Sequence, residues 1–311
     1  MSLSGAGQNR RGGVGRIVVV GSLNMDLVFR VARAPEGGET VIGQSFATVP
    51  GGKGANQAIA CARMGASVGM IGRVGADGFG DELLRAMAAD GVDASHVARD
   101  EAAPSGVAMV MVDDAAQNRI VVAPGSNFTL TPELLETARD AIAAAGLLVL
   151  QLEAPLATVC RAAEIARAAG VPVMLNPAPA QTLPDALYGM VDYLIPNESE
   201  ASALTGIAVT DVASAGEAAR VLLGRGAANV LITLGAQGVL IANAAGEFHL
   251  RANKVQAVDT TAAGDTFIGG FSAGLLEGLS IEKAAELGQK AASICVSRRG
   301  AQPSIPYRRE L

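Results

Sequence analysis

Residues 147–175 read LLVLQLEAPLATVCRAAEIARAAGVPVML. Leu147–Leu152 is a short continuous apolar run, the signature of a strand buried on both faces. Pro155–Ala169 reads as a helix and Val171–Leu175 as a second strand. Such a strand–helix–strand unit belongs to a parallel sheet, and the same rhythm runs outward in both directions. Upstream, Ile17–Val20 is four consecutive β-branched residues ended by Gly21. Gly54–Met64 is a helix stopped by Gly65, Val68–Ile71 a strand, and Asp81–Asp90 a helix ended by Gly91. Thr131 and Pro132 open a helix that runs to about Ala145. Downstream come the helix Ala213–Leu223 and the strand Val230–Thr233. The fold class is therefore α/β, a doubly wound, mostly parallel sheet with helices on both faces. Two stretches break the rhythm, at about 40–49 and 106–123. Asp113-Asp114 to Gln117-Asn118 joins Val107–Val112 to Arg119–Ala123 as a hairpin. These form a small antiparallel β lid on a single domain spanning 16–311, behind a disordered glycine-rich arm at 1–15.

The whole chain has 311 residues, 50% hydrophobic and 17% charged, which suits one large α/β core and excludes disorder over most of the length. Its 24 basic and 30 acidic side chains leave a net charge of −6, with no long basic run, which disfavours nucleic acid as a partner. No apolar run approaches the ~18 residues of a spanning helix, so no membrane role is expected. Cys61, Cys160 and Cys295 are too scattered for a disulfide framework or a zinc site and point to a reducing cytoplasm. His96 and His249 stand in unrelated surroundings, so neither a histidine triad nor a histidine metal site is expected.

Four polar constellations fall at predicted strand ends or helix starts. Gly51-Gly52-Lys53-Gly54-Ala55-Asn56 lacks the Ser or Thr of a Walker loop. Its glycines allow close approach of the backbone to a ligand, and Lys53 and Asn56 add donors; a flexible turn before a helix is the alternative. Asp259-Thr260-Thr261-Ala262-Ala263-Gly264-Asp265 precedes a helix Thr266–Leu276. Its small residues leave amides aimed outward as an anion hole, with Asp265 beside them or merely complementing the helix dipole. Asn24-x-Asp26 and Glu153 follow strands, where open α/β sheets bind ligands, though an Asx turn explains the first pair equally. Asn197-x-x-Glu200 suits a hydrated Mg²⁺ or simple N-capping.

Taken together these segments resemble the ribokinase/PfkB carbohydrate kinase family from Ile17 to Tyr307. The likeness runs through Gly-Ser-Leu-Asn-Met-Asp at 21–26, Gly-Gly-Lys-Gly-Ala-Asn-Gln-Ala at 51–58 and Gln-Leu-Glu-Ala-Pro-Leu at 151–156. It continues through Asn-Pro-Ala-Pro-Ala at 176–180, Pro-Asn-Glu-Ser-Glu at 196–200, Ile-Thr-Leu-Gly at 232–235, Ala-Ala-Gly-Asp-Thr-Phe at 262–267 and Gly-Ala-Gln-Pro-Ser at 300–304. The resemblance implies ATP-dependent phosphorylation of D-ribose at O5. It implies sugar contacts by Asn24, Asp26, Gly52, Lys53, Asn56 and Glu153, and Asp265 as base with the amides of Ala262, Ala263 and Gly264 as anion hole. Asn197 and Glu200 would hold the Mg²⁺–phosphate end of ATP, Glu200 through water. Thr233, Gly235, Gly238, Gly264 and Gln289 would line the nucleotide pocket. A K⁺ ion would be held by Asp259, Thr261, Cys295, Arg298, Gly300 and Ser304, and a homodimer would form through the lid sheets. The rivals are a sibling kinase for 2-deoxyribose, fructose or adenosine, and a catalytically silent sugar sensor.

Overall fold

A computed structural model describes residues 15–115 and 117–311; the expected arm at 1–15 lies outside them except for Gly15. Strand β1 (Ile17–Val20) is followed after three residues by β2 (Asn24–Arg30), β3 (Ser45–Gly51), helix α1 (Lys53–Arg63), β4 (Val68–Gly75), α2 (Gly78–Ala89) and β5 (Asp93–Asp100). A hairpin, β6 (Gly106–Val112) and β7 (Asn118–Ala123), precedes the short helices α3 (Pro132–Leu135) and α4 (Arg139–Ala143). Then come β8 (Leu147–Leu150), α5 (Leu156–Ala168), β9 (Val173–Leu175), α6 (Asp185–Tyr188), β10 (Tyr193–Leu194), α7 (Glu198–Thr205) and α8 (Val212–Gly224). The chain closes with β11 (Asn229–Thr233), β12 (Val239–Asn243), β13 (Gly246–Leu250), α9 (Ala263–Leu276) and α10 (Ile281–Cys295).

The main sheet has the order β13-β12-β11-β10-β9-β8-β1-β4-β5 and is parallel except for the antiparallel β11–β12–β13 end. Alternation along β1 explains why it is buried on both faces. Val18 and Val20 enter the core under α5 and α8, whereas Ile17 and Val19 enter the core under α1 and α9. After β1 the chain builds outward through β4 and β5, then returns to lay β8 on the other side of β1. That reversal opens a crevice at the carboxyl ends of β1 and β8, the ligand position of doubly wound sheets. The second sheet has the order β3-β2-β6-β7, with its two outer pairs antiparallel and the central β2–β6 pair parallel.

The strand β2 was not foreseen. Asn24-Met25-Asp26 reads as a polar turn, yet Met25 is fully buried and Asn24 begins the ladder with Gly51 and Gly106. Pro50 is accommodated because β3 is an edge strand. The single helix expected from Pro132 to Ala145 is instead α3 and α4 joined by a 3₁₀ turn, Glu136–Ala138. The Thr137 hydroxyl donates to the Leu134 carbonyl at 2.8 Å, a local bond that competes with the helical ladder. The strand β4 also runs on to Gly75, four residues beyond the expected Val68–Ile71.

Candidate active site

The glycines before α1 serve a close approach, but to the chain's own backbone. Gly52 has φ +89°, and a Cβ there would lie 2.7 Å from the Asn24 nitrogen. A Cβ on Gly54 would lie 2.6 Å from the Ser22 nitrogen. Stripped of side chains, this turn seats the start of α1 against the Ser22–Asn24 linker, where β1 becomes the lid. Glu153, just past β8, joins the two. Its Oε2 accepts from the Ser22 hydroxyl at 2.5 Å and from the Lys53 N–H at 3.1 Å, with Asn24 Nδ2 at 3.5 Å. Asn127 grips the linker from the other side. It accepts from the Leu23 N–H at 2.9 Å and donates to Asn24 Oδ1 at 2.8 Å, which turns the Asn24 amide nitrogen toward Glu153.

Charge accumulates here. Burial, then the carboxylates of Glu153 and Asp265, push the Asp26 carboxyl up to about 7. Burial lowers the Lys53 ammonium, but Asp265, Glu153 and Glu200 outweigh it and raise the pKa, so Lys53 stays cationic. Asp26 accepts no hydrogen bond from the described residues. Because its folded pKa lies above the unfolded 3.8, its ionisation opposes folding: the penalty is absent in acid and fully present above about pH 7. Asp26→Asn is therefore expected to stabilise the protein at pH 8 by about 1–2 kcal/mol, allowing for solvent near the group. The gain should shrink at pH 5. Thermal unfolding of both proteins at the two pH values checks this, and an equal or inverted gain would refute it.

Asp265 stands in the first turn of α9. That helix starts from Ala262 at φ +59°, the non-glycine residue with positive φ among those described. Asp265 Oδ1 accepts from Gln57 Nε2 at 2.9 Å and Oδ2 from Asn56 Nδ2 at 3.2 Å. The three expected anion-hole amides are not equivalent. Ala263 N–H turns back to the Thr260 carbonyl at 3.2 Å, closing the tight turn that Ala262 permits. Ala262 and Gly264, joined by Asp265's own amide, have no acceptor among the described residues and remain open to an anion.

Asp265 and the turn Ala262–Gly264 line a cleft of about 210 Å³ together with Lys53, Asn176, Asn197, Glu200, Thr233 and Thr260, whereas Asn24, Asp26, Gly52, Asn56, Gln57 and Glu153 are not among its lining residues. Asn197 and Glu200 form a full capping box on α7. Glu200 N–H donates to Asn197 Oδ1 at 2.8 Å, and the Glu200 carboxylate accepts from Asn197 N–H at 2.9 Å and Nδ2 at 3.0 Å. Burial pushes the Glu200 carboxyl upward. Gly235, Gly238 and Gln289 do not line this cleft. Gly238 packs under Leu250 and Ala252, and Gln289 donates to the Arg251 carbonyl at 2.5 Å, so both meet the segment leaving β13.

The expected cation loop is partly assembled. Asp259 Oδ1 accepts from Thr261 N–H at 2.9 Å and Oδ2 from Gly300 N–H at 2.9 Å, which ties two loops together. Burial raises the Asp259 carboxyl, but these donors outweigh it and hold it below the usual carboxylate range. Cys295 Sγ lies 3.0 Å from Ser304 Oγ and 3.6 Å from the Thr261 carbonyl. The Arg298 side chain pairs with Glu310 at 2.6 Å, and the Asp259 carboxylate has no salt bridge among the described residues, although the charge of Arg30 helps to lower it. His96 is exposed and His249 contacts the Gln237 carbonyl at 2.7 Å, and neither lines the cleft. Residues not singled out from the sequence include Ser22, Gln57, Asn127, Gln151 and Asn176. All five are buried polar side chains, and Ser22, Gln57, Gln151 and Asn176 lie inside conspicuous motifs.

A model of the pfkB family carbohydrate kinases matches residues 14–308. The chain is 44% identical over 294 residues to a ribokinase of Haemophilus influenzae, covering 94% of this chain and 96% of that one. It is 37% identical over 291 residues to a deoxyribokinase of Salmonella typhi, covering 93% and 95%. A solved structure of an Arabidopsis thaliana ribokinase complexed with ribose and ATP is 34% identical, with a TM-score of 0.90 over 95% of this chain and 96% of that one.

Proposed function

The chain belongs to the pfkB family of carbohydrate kinases, and from that premise we propose that it phosphorylates D-ribose at O5 with ATP. The observation that supports this most strongly is one carboxylate, Asp265, between two different environments. On one side stand Asp26, Lys53, Asn56 and Glu153, a set of donors and acceptors suited to a polyhydroxy sugar. On the other stand the open amides at the start of α9, suited to a phosphoryl group. A primary alcohol is scarcely ionised at neutral pH, so the attacking hydroxyl needs a base as the phosphoryl group arrives. Asp265 takes that proton, while the Gly264 and Asp265 amides and Lys53 offset the charge on the transferring group without reorganisation. Asn24, its amide nitrogen turned toward Glu153 by Asn127, donates to the sugar, and Asp26 and Glu153 accept from it. The lid over this crevice excludes water, which would otherwise consume ATP. Residues 16–311 act as one unit, because β2 carries the sugar contacts of Asn24 and Asp26 directly into the lid.

Mg²⁺ would sit with the phosphates of ATP and neutralise their charge. Both Glu200 oxygens are already engaged by Asn197, which fits contact through water better than direct ligation. A monovalent cation fits the loop of Asp259, Thr261, Cys295, Arg298, Gly300 and Ser304, where a carboxylate with no salt bridge among the described residues is held by N–H donors close to the Thr261 carbonyl. It would rigidify the turn carrying Ala262. We expect activity to rise when K⁺ replaces Na⁺ at fixed ionic strength and saturating Mg²⁺–ATP. A flat response in initial rates would remove the cation from the account. Phe46 and Val121 expose apolar surface on one face of the lid sheet, and Ile120 and Val122 on the other, which supports a homodimer through the lids. Three unpaired cysteines and the absence, among the described residues, of a helix able to cross a membrane agree with a cytoplasmic location.

The second reading, 2-deoxyribose as substrate, is favoured by the likeness to the Salmonella protein. A site that pairs each sugar hydroxyl leaves a buried acceptor unpaired when one hydroxyl is missing, at about 1–3 kcal/mol. Ribose should therefore exceed 2-deoxyribose roughly ten- to a hundredfold in kcat/KM. Parity in a coupled assay, or a reversed order, would shift the assignment to the deoxy sugar.

A further inference from the structure

We infer that Gln57 is a positioning residue for phosphoryl transfer, holding the Asp265 carboxylate in its working orientation, and that Gln151 locks Gln57 in turn. The inference rests on Asp265 being the base, as proposed above. Gln57 is fully buried in α1, and its amide nitrogen lies 2.9 Å from Asp265 Oδ1 and 3.2 Å from Asn176 Oδ1. Its carbonyl oxygen accepts from Gln151 Nε2 at 2.6 Å. An amide can present either end, but only the nitrogen end suits a carboxylate, because an oxygen there would face another acceptor. Donation from Gln151 into Gln57 Oε1 selects that end. The two carboxylate oxygens of Asp265 thus each receive one donor from consecutive residues, Asn56 on Oδ2 and Gln57 on Oδ1. Rotation of the carboxylate would break both bonds together.

Neither Gln57 nor Asn56 lines the cleft, and Gln57 is fully buried behind Asp265; Gln57 therefore acts on the reaction through Asp265. Asn176, which shares the Gln57 donor, also donates to the Ile195 carbonyl at 2.9 Å and approaches Glu200 at 3.5 Å. One chain of buried amides therefore links the base to the cap of α7 on the phosphate side. A base held out of line by a fraction of an ångström loses much of its effect, and misplacement of about 1 Å can cost ~10²-fold.

The test measures steady-state kinetics and thermal stability for wild type, Asp265→Asn, Gln57→Met and Gln151→Met with ribose and ATP. Methionine keeps the volume and removes the donor. Gln57→Met should lower kcat by roughly 30- to 100-fold while both KM values stay within about threefold. Gln151→Met should lower kcat in the same sense by a smaller factor, on the order of five. If Gln57→Met fails to fold, Gln151→Met decides. A kcat within about twofold of wild type in the folded variants overturns the inference, as does a kcat loss matched by a rise in ribose KM. If wild type phosphorylates ribose, Asp265→Asn does not, and Gln57→Met is unimpaired, only this inference falls. If wild type leaves ribose untouched, the function fails and the role of Gln57 fails with it.

Discussion

Asp265→Asn is expected to fold, to bind ribose and ATP, and to turn over at least a hundredfold more slowly than wild type. A positioned general base contributes roughly 10²–10⁴ in rate, and within the cleft Asp265 is the carboxylate that faces both the open amides and the sugar contacts. Asparagine keeps the shape of the side chain but presents a donor where Asn56 or Gln57 now donates, so one of those two bonds is lost. The variant carries an internal control. Asp265 is one of the charges that raise the Asp26 carboxyl, so its neutralisation should bring that group below about 7. Retention of more than about a hundredth of wild-type kcat would remove Asp265 as the base.

Gly52→Ala should give a large loss of stability from one added methyl group. Gly52 combines φ +89° and ψ 134° with a Cβ position 2.7 Å from the Asn24 nitrogen and 3.0 Å from the Leu23 Cα. Backbone strain and the clash together cost about 3–5 kcal/mol, a fall in Tm on the order of 10 °C. To relieve the clash, α1 must withdraw from the linker, which pulls Lys53 N–H and Ser22 away from Glu153. Ribose KM should therefore rise at least about tenfold. Gly65→Ala is the comparison. Gly65 shares a positive φ of +94° but has open space where its Cβ would go, so only strain of about 1 kcal/mol is expected. If the two variants lose equal stability, the close packing of the turn on Ser22–Asn24 is not what requires glycine at 52.

The main sheet is legible in the sequence because its strands are buried on both faces. Ile17–Val20 and Leu147–Leu150 are unbroken apolar runs, and each helix between strands has a glycine near its end. The lid is only half legible. Its β6–β7 hairpin announces itself by two apolar, β-type runs either side of an Asp-rich turn, whereas β2 opens with Asn24 and Asp26, which local chemistry assigns to a turn. Only pairing with β3 and β6, strands distant in sequence, makes them part of a ladder. The site divides in the same way. Residues at strand ends and helix starts, such as Glu153 and Asp265, are found by position alone. Gln57 and Gln151 are hidden because nothing local says what a buried amide on a helix or strand end will meet 208 or 94 residues away. The pairing of the Arg298 side chain is hidden for a related reason: its partner Glu310 is supplied by the chain's final turn, and proximity to Asp259 in a motif says nothing about that.

The central claim is a chemical one, that the phosphoryl group of ATP arrives on O5 of ribose. Incubating the purified protein with Mg²⁺–ATP and D-ribose, and following ³¹P resonances against authentic ribose phosphates, tests it directly. The account predicts that ADP and ribose 5-phosphate accumulate in equal amounts, and that neither forms with Asp265→Asn on the same timescale. ADP with inorganic phosphate but no sugar phosphate, or a phosphoryl group on another oxygen, would contradict it.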